Sequence, residues 1–451
     1  MIKHPPHLTH TDPLTWITEH APKELSRYFD HASVVDDKGR YLHYDELRFR
    51  LPKGLELDIA WSLIKKARSK QLSPVLPLDE PERQARFYLT PTMQKAISEA
   101  DRHATSASLE YMCSKVGEEK HFEYLLNDLI EDEAISSSQL EGAATTTKVA
   151  KDLLKRARKP RTPDEKMIIG NFKMMQFAWQ NRHKRLSIDL IQSMHQIGVE
   201  SIDDEKYHPG AFRQTDDVEV ADAEGNTVHT PPPANRIHER LEQFIAWVNQ
   251  DHQDVESSHY LHPLIKAIVM HFVIGFEHPF RDGNGRVARS LFYWYMFKND
   301  YAAFRYIAIS VLLKAAPIQY GKSYLYTETD DLDLTYFIDY QCKIVGRAIG
   351  EFKHAYENNL RESEAFTRWL WDSGLFSKLS DKQKTLFMVA KSGKTKQFTA
   401  VNVKENLGCS YNTARDALNG LVELNLFEKE KAGKEWVFTM RSKTAIIESW
   451  G

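Results

Sequence analysis

Between two apolar stretches, HFVIGF (residues 271–276) and LFYWYMF (residues 291–297), lies the run His278-Pro279-Phe280-Arg281-Asp282-Gly283-Asn284-Gly285-Arg286, with Arg289 close behind. It brings together an imidazole, a carboxylate, an asparagine between two glycines, and two guanidiniums. A histidine can accept a proton near neutral pH, so His278 suits a general base for a hydroxyl nucleophile. Asp282 suits Mg²⁺, which takes one or two carboxylates beside phosphate oxygens. Gly283, Asn284 and Gly285 can turn backbone amides toward a phosphate, because glycine lets the backbone approach closely. Arg286 and Arg289 share a helix face, and either can form a bidentate clamp on phosphate. Phe280 reads as a buried anchor and Arg281 as a solvent-facing charge. A solvated basic turn between two core helices would explain each arginine singly, but not the histidine, acid and glycines together.

The elements that must hold these groups are a helix, a tight loop and a second helix, with the loop at a helix N-terminus that favours an anion. The 451 residues are too many for one ordinary core and predict two or three domains. Charged residues nearly balance to a net charge of -3, so the molecule as a whole has no strong pull toward nucleic acid or anionic membrane. Cys113, Cys342 and Cys409 lack metal-ligand spacing and are odd in number, which fits a reducing compartment. The N-terminus lacks a signal-peptide core, and no apolar run reaches the length of a membrane span. A cytoplasmic location follows by exclusion.

The expected organisation is an N-terminal extension over residues 1–85, a helical core over 86–360 and a small domain over 361–451. Residues 37–51 suggest a hairpin or extended arm, 58–70 a helix, and the proline-rich 73–82 a linker or strap. Thr90-Pro91 reads as an N-cap with proline at the first helical position. Gly142 reads as a helix stop. The run from Lys148 to Arg161 reads as a solvated helix face. Residues 207–233, with Gly210, the alternating RQTDDVEV, a turn at Glu224-Gly225-Asn226 and three prolines, predict a β-hairpin between helices. After residue 360, helix, helix-turn-helix and two strands follow in the order of a winged helix. Its second helix, YNTARDALNGLVELN, sets Arg415 against Asp416 and Glu423. Its wing is mixed in charge, and Lys391, Lys394 and Lys396 add some positive character. Protein contact, self-association and DNA binding all stay open for it.

The central run closely resembles the signature of the Fic family, H-x-F-x-[DE]-G-N-[GK]-R-x-x-R, at every specified position. The resemblance implies a mainly α fold, a Fic-type helical core with a β-hairpin flap. It further implies transfer of AMP from ATP, with Mg²⁺, to a Tyr, Ser or Thr hydroxyl of a target protein. His278 would be catalytic, Asp282 the metal ligand, and Gly283, Asn284, Gly285, Arg286 and Arg289 the nucleotide site. Asp282 with both glycines favours nucleotidyl transfer over the phosphate and phosphocholine transfers of relatives with altered motifs.

The same resemblance extends outward. Ser137-Ser138-Gln139-Leu140-Glu141-Gly142 matches the inhibitory pattern [ST]-x-x-x-E-[GN], which implies that Glu141 pairs with Arg289 and displaces the γ-phosphate. Glu141 could instead position a water that removes AMP. Gly210-Ala211-Phe212-Arg213 matches a G-x-[FY]-R element before the flap. Arg213, Val218 and Val220 then become candidates for target binding through the hairpin edge. In IQYGKSYLY, Tyr320 takes the first position of a tyrosine pair that lines the adenine pocket, and Gly321 stands where the second is usual. Tyr320 and Tyr324 suit core packing equally. His262-Pro263 resembles the usual opening of the helix before the motif, and His271 reads as a satisfied buried histidine. The readings that stand are a self-inhibited protein adenylyltransferase, an enzyme that chiefly removes AMP through Glu141, and a nucleotide-sensing DNA-binding regulator. Relatives often self-associate, so a homo-oligomer is possible.

Overall fold

A computed structural model describes residues 2–6, 12–79, 81–116, 131–155, 159–202, 207–221, 225–254, 256, 259–391, 397–432 and 435–450. The chain divides into two compact units, Met1–Ser106 with Asp128–Gly350, and Ala107–Asn127 with Glu351–Gly451. Both are mainly helical, with three small antiparallel sheets among the described residues. No helix among the described residues is long and apolar enough to cross a membrane.

The first unit is built around the helix Pro263–Glu277. His262 caps it, its ring accepting from Leu264 N, and Pro263 occupies the first turn. Every residue of this helix except Gly275 is buried, as an all-round apolar sequence demands. It packs on Asn284–Lys298, which in turn packs on Pro163–Gln180 and Ile188–Val199. Gly170 lets the last two helices close together, since a Cβ there would overlap the Gly198 carbonyl. Thr90 caps Pro91–His103 as its sequence predicts, accepting from Met93 N.

Residues 1–85 do not stand apart; they fold into the first unit. On the helix Leu57–Ser69, the buried Arg68 donates to Val34 O (3.2 Å), Leu42 O (3.0 Å) and the Tyr336 hydroxyl (2.8 Å). Its guanidinium lies 3.6 Å over the Tyr41 ring. A buried arginine needs such partners, and these come from both ends of the unit. One local expectation changes. Residues 44–47 form a helical turn capped by His43, not a hairpin. Of the linker and the extended strap read for residues 73–82, the strap fits better: Ser73–Leu78 is a strand paired with Arg83–Phe87, and its prolines are tolerated because a two-stranded sheet has only edges.

The predicted hairpin is short, Val220–Ala221 paired with Thr227–His229. The alternation from Arg213 suggests a longer strand. However, Asp216 accepts from Arg213 and from Ala234 N (2.6 Å), which turns residues 213–217 into a loop. Glu224, in the predicted turn, lies outside the described residues, as do residues 156–158 of the basic run and Lys394 and Lys396.

The second unit takes in the far part of the long helix Thr335–Asp372. After it come helices Asp381–Lys391, Ala400–Leu407 and Tyr411–Glu423, strands Phe427–Ala432 and Glu435–Met440, and helix Lys443–Trp450. The short strand Gln397–Phe398 joins the last two in a three-stranded sheet. Thr399 and Ser410 cap the paired helices, and Gly408 ends the first of them in the left-handed region. Leu386, Phe387, Leu418, Leu421, Phe427 and Phe438 form the centre of this core.

Candidate active site

The loop between the two central helices is fixed by side chains that meet it from behind. His278 ends the leading helix with φ 46° and ψ 55°, a left-handed conformation costly for any residue but glycine. Arg213 holds it there. Its Nε donates to His278 O (3.0 Å), its backbone N to Pro279 O (2.8 Å), and Nη2 to Pro232 O. Arg213 is therefore a buried strut rather than a residue offered to a target. Val218 and Val220 are half-buried near the hairpin.

Asn284 closes the turn. Its Oδ1 accepts from Phe280 N (2.9 Å) and its Nδ2 donates to Phe280 O (2.8 Å). Its side chain is thus structural, while its backbone amide and that of Gly285 are first-turn donors of the helix Asn284–Lys298. Phe280 is fully buried and stacks on His195 at 3.8 Å. His195 accepts from Gly210 N (3.0 Å) at Nδ1, so its Nε2 carries the proton donated to Asp282 O (2.9 Å). Burial pushes its pKa down to about 4, which keeps it neutral. A lone histidine in SIDLIQSMHQIGVE gave no sequence signal of this role. Asn284→Ala strands two buried backbone groups and is expected to cost about 2–4 kcal/mol of stability, read as a lower denaturant midpoint at unchanged m-value.

His278 shares its Nδ1 with Gly275 O (3.2 Å), which leaves Nε2 for chemistry. Burial pushes its pKa down from 6.5 to about 4, against the Gly275 bond and the Glu141 charge, which raise it. The ring is therefore uncharged throughout the neutral range. Since the folded value is the lower one, the stability this neutral ring contributes is full above 6.5 and is lost as pH falls toward 4. In ring NMR, His278 should still be neutral at about pH 6; a midpoint near 6.5 would contradict its burial.

The two arginines differ. Arg286 is fully buried, donates from Nη1 to Gly198 O (3.0 Å), and has no hydrogen-bond partner at Nε or Nη2. Nη2 lies beside Gly283, 3.2 Å from where a Cβ would stand. Gly283 itself needs its glycine, having φ 83°. Arg289 is engaged at two of its nitrogens: Nε with Ser137 Oγ (2.8 Å), and Nη2 with Ser137 O (3.0 Å) and with Glu141 Oε1 (2.8 Å). Burial opposes the Arg289 charge, but Glu141 beside it lifts its pKa above the usual range. Gly285 provides the space for this pair, because a Cβ there would overlap the Glu141 carboxylate.

Asp282 is half-buried, with Oδ1 accepting from Gly283 N (2.5 Å). Among the described residues no group of three or more His, Cys, Asp or Glu could hold a metal alone. A single carboxylate fits Mg²⁺ when phosphate oxygens and water complete the shell. On the far side, the Tyr320 hydroxyl lies 2.7 Å from His271 Nε2, and Tyr320 packs with Tyr324 and Phe337. His271 is buried as its sequence suggests, but it is only half satisfied: Nε2 meets Tyr320 while the buried Nδ1 has no hydrogen-bond partner, and burial holds its pKa well below 6.5. A side chain at Gly321 would meet nothing within 4 Å, so a second tyrosine is not needed for packing there. His229 on the hairpin had no sequence signal; it is bonded to Phe276 O (2.8 Å) and Glu328 (2.7 Å), which ties the hairpin to the helices Pro263–Glu277 and Pro317–Thr329. Arg281 is exposed, as its sequence suggests, and pairs with Asp217 (2.8 Å).

Residues 185–296 match the family described as Fic/DOC. Protein adenylyltransferase Fic of Drosophila ananassae is 30% identical over 112 residues, 24% of this chain and 21% of that protein. Protein adenylyltransferase fic-1 of Caenorhabditis elegans is 30% identical over 119 residues, 26% of this chain and 21% of that one. The chain spans about a fifth of the length of the curated relatives it matches. Among solved structures, a Fic family protein from Desulfovibrio desulfuricans G20 aligns with a TM-score of 0.49 at 16% identity, over 78% of this chain and 97% of that one. Residues 134–508 of Fic-1 from C. elegans align with a TM-score of 0.46 at 17% identity, over 78% and 90%. The loop that sets His278, Asp282 and the two arginines lies inside residues 185–296, the segment that matches the Fic/DOC family.

Proposed function

We propose that this protein transfers AMP from ATP to a Ser, Thr or Tyr hydroxyl of a protein target and restrains itself through Glu141. The observation that carries this reading is the Arg286 guanidinium. It is fully buried, with Nε and Nη2 lacking partners, beside Gly283 at the start of a helix. A buried cation with unused donors at a helix N-terminus suits a phosphate. His278 stands on the same loop with Nε2 unshared.

In the proposed reaction, the target hydroxyl loses its proton to His278 Nε2 as its oxygen bonds to the α-phosphorus. The bond from that phosphorus to the bridging oxygen breaks, and pyrophosphate leaves. The amides of Gly283 to Gly285 and the Arg286 fork stabilise charge on the phosphates. Asp282 would hold Mg²⁺, which when bound neutralises phosphate charge. Arg289 would hold the γ-phosphate once Glu141 leaves it. The hairpin edge would align an extended target segment. Two features support reading Glu141 also as a catalyst of AMP removal: it borders the same site, and its side chain keeps 21% exposure, enough for water to reach it.

Cys113, Cys342 and Cys409 are free thiols, which supports a reducing, cytoplasmic setting. The helix pair and three-stranded sheet of the second unit support a winged helix. On it, Tyr411, Arg415 and Asn419 line a hollow with Trp436 that could meet DNA or protein. Intact-mass analysis after incubation with ATP and Mg²⁺ tests the reaction type. A gain of one AMP on the protein or on an added target supports transfer. Release of AMP from a modified target, without any gain, favours removal.

A further inference from the structure

We propose that Glu133, outside the recognisable inhibitory pattern, is the latch that docks the Glu141 segment on the site. The inference rests on the proposed transfer reaction and concerns its regulation. Residues 131–140 are helical, and Glu133, Ser137 and Glu141 recur at four-residue spacing along one face. Ser137 and Glu141 both bond Arg289. Glu133 reaches a different element. Its Oε2 accepts from Ser310 N (2.8 Å) and its Oε1 from Ser310 Oγ (2.6 Å), at the start of the helix Ile309–Ala315.

The two ends of this stripe are not equivalent. The Glu141 side chain is 21% exposed and would share its place with a phosphate. Glu133 is 4% exposed and Ser310 is fully buried. A buried carboxylate held by two donors is costly to undock, because separation leaves a charge and two donors unpaired until water enters. Burial pushes the Glu133 carboxyl pKa up, while the Ser310 bonds, the Tyr293 hydroxyl beside it and the Arg289 charge hold it down. Ser137 adds two buried bonds to Arg289 beside the site, while the remaining ionic and side-chain contacts of the segment are more exposed: Lys151 with Asp132 (2.8 Å), and Lys314 with Gln139 (2.5 Å) at the surface. Asn171 adds one neutral bond to Ala134 O (3.0 Å). The strength of the brake therefore depends on a carboxylate that never meets the nucleotide.

Glu133→Gln keeps the size but turns an amide donor toward a Ser310 donor. A charged hydrogen bond contributes about 1.5–3 kcal/mol, so the undocked population should rise about tenfold or more. Two readouts follow. Hydrogen exchange of amides 131–142 should quicken by about that factor in Glu133→Gln, and by less in Ser310→Ala, which removes only the hydroxyl. AMP incorporation should rise in Glu133→Gln while Glu141 is present. In the double variant with Glu141→Gly it should not exceed that of Glu141→Gly alone, since the latch acts only through Glu141. Unchanged exchange, or activity gains that add in the double variant, would overturn the latch. If Glu141→Gly itself incorporates no AMP, the transfer reading fails and the exchange result alone decides the latch. Should Glu133→Gln not fold, Ser310→Ala carries the same comparison.

Discussion

His278→Ala is expected to remove AMP transfer while leaving ATP affinity within a few-fold of the parent. Its imidazole is the group on the loop with a ring nitrogen unshared, since Nδ1 is used by Gly275 O. Loss of a positioned general base costs about 10²–10⁴ in rate. The loop should survive the change, because its shape depends on Asn284, Arg213 and Phe280 rather than on the ring itself. Alanine must still accept the left-handed backbone at position 278, a strain the histidine already bears. Rapid-quench measurement of AMP transfer beside calorimetric titration of ATP separates the two effects. A parallel loss of binding would mean that His278 is structural.

Glu141→Gly carries the second large effect, in the opposite direction. Arg289 now spends Nη2 on Glu141 and on Ser137. Removing the carboxylate frees part of the guanidinium for the γ-phosphate and removes a like charge from its neighbourhood. A charge-assisted hydrogen bond transferred from carboxylate to phosphate contributes about 1.5–3 kcal/mol, so AMP incorporation should rise about 10–100-fold. Initial rates with labelled ATP measure this directly. A variant no faster than the parent would mean that the Arg289–Glu141 pair does not restrain the site. The exposed side of Glu141 makes the change safe for folding, because the Ser137 bonds to Arg289 stay in place.

The chemistry of the loop was legible because its residue types are rare in combination and adjacent in sequence. The pairing of Glu141 with Arg289, separated by nearly 150 positions, could be read only through the resemblance carried by a six-residue pattern. Residues that act from behind were not legible. His195, Glu133 and His229 are single polar residues in otherwise ordinary helical or hairpin sequence, and only packing brings them to the loop or its brake. Arg213 was visible as part of a short pattern, yet its role changed once its guanidinium proved to be buried against loop carbonyls. The N-terminal residues misled for a related reason. The alternating stretch reads as a hairpin or extended arm and the proline-rich one as a linker or strap, but the buried Arg68 joins Leu42 to Tyr336 in the core and Ser73–Leu78 pairs with Arg83–Phe87.

A structure of Glu141→Gly bound to ATP and Mg²⁺ tests the central claim most directly. The phosphates should lie at the amides of Gly283 to Gly285, with Arg286 Nε or Nη2 and Arg289 on their oxygens, and with the α-phosphorus facing His278 Nε2. A triphosphate seated elsewhere, with Arg286 still unengaged, would contradict it.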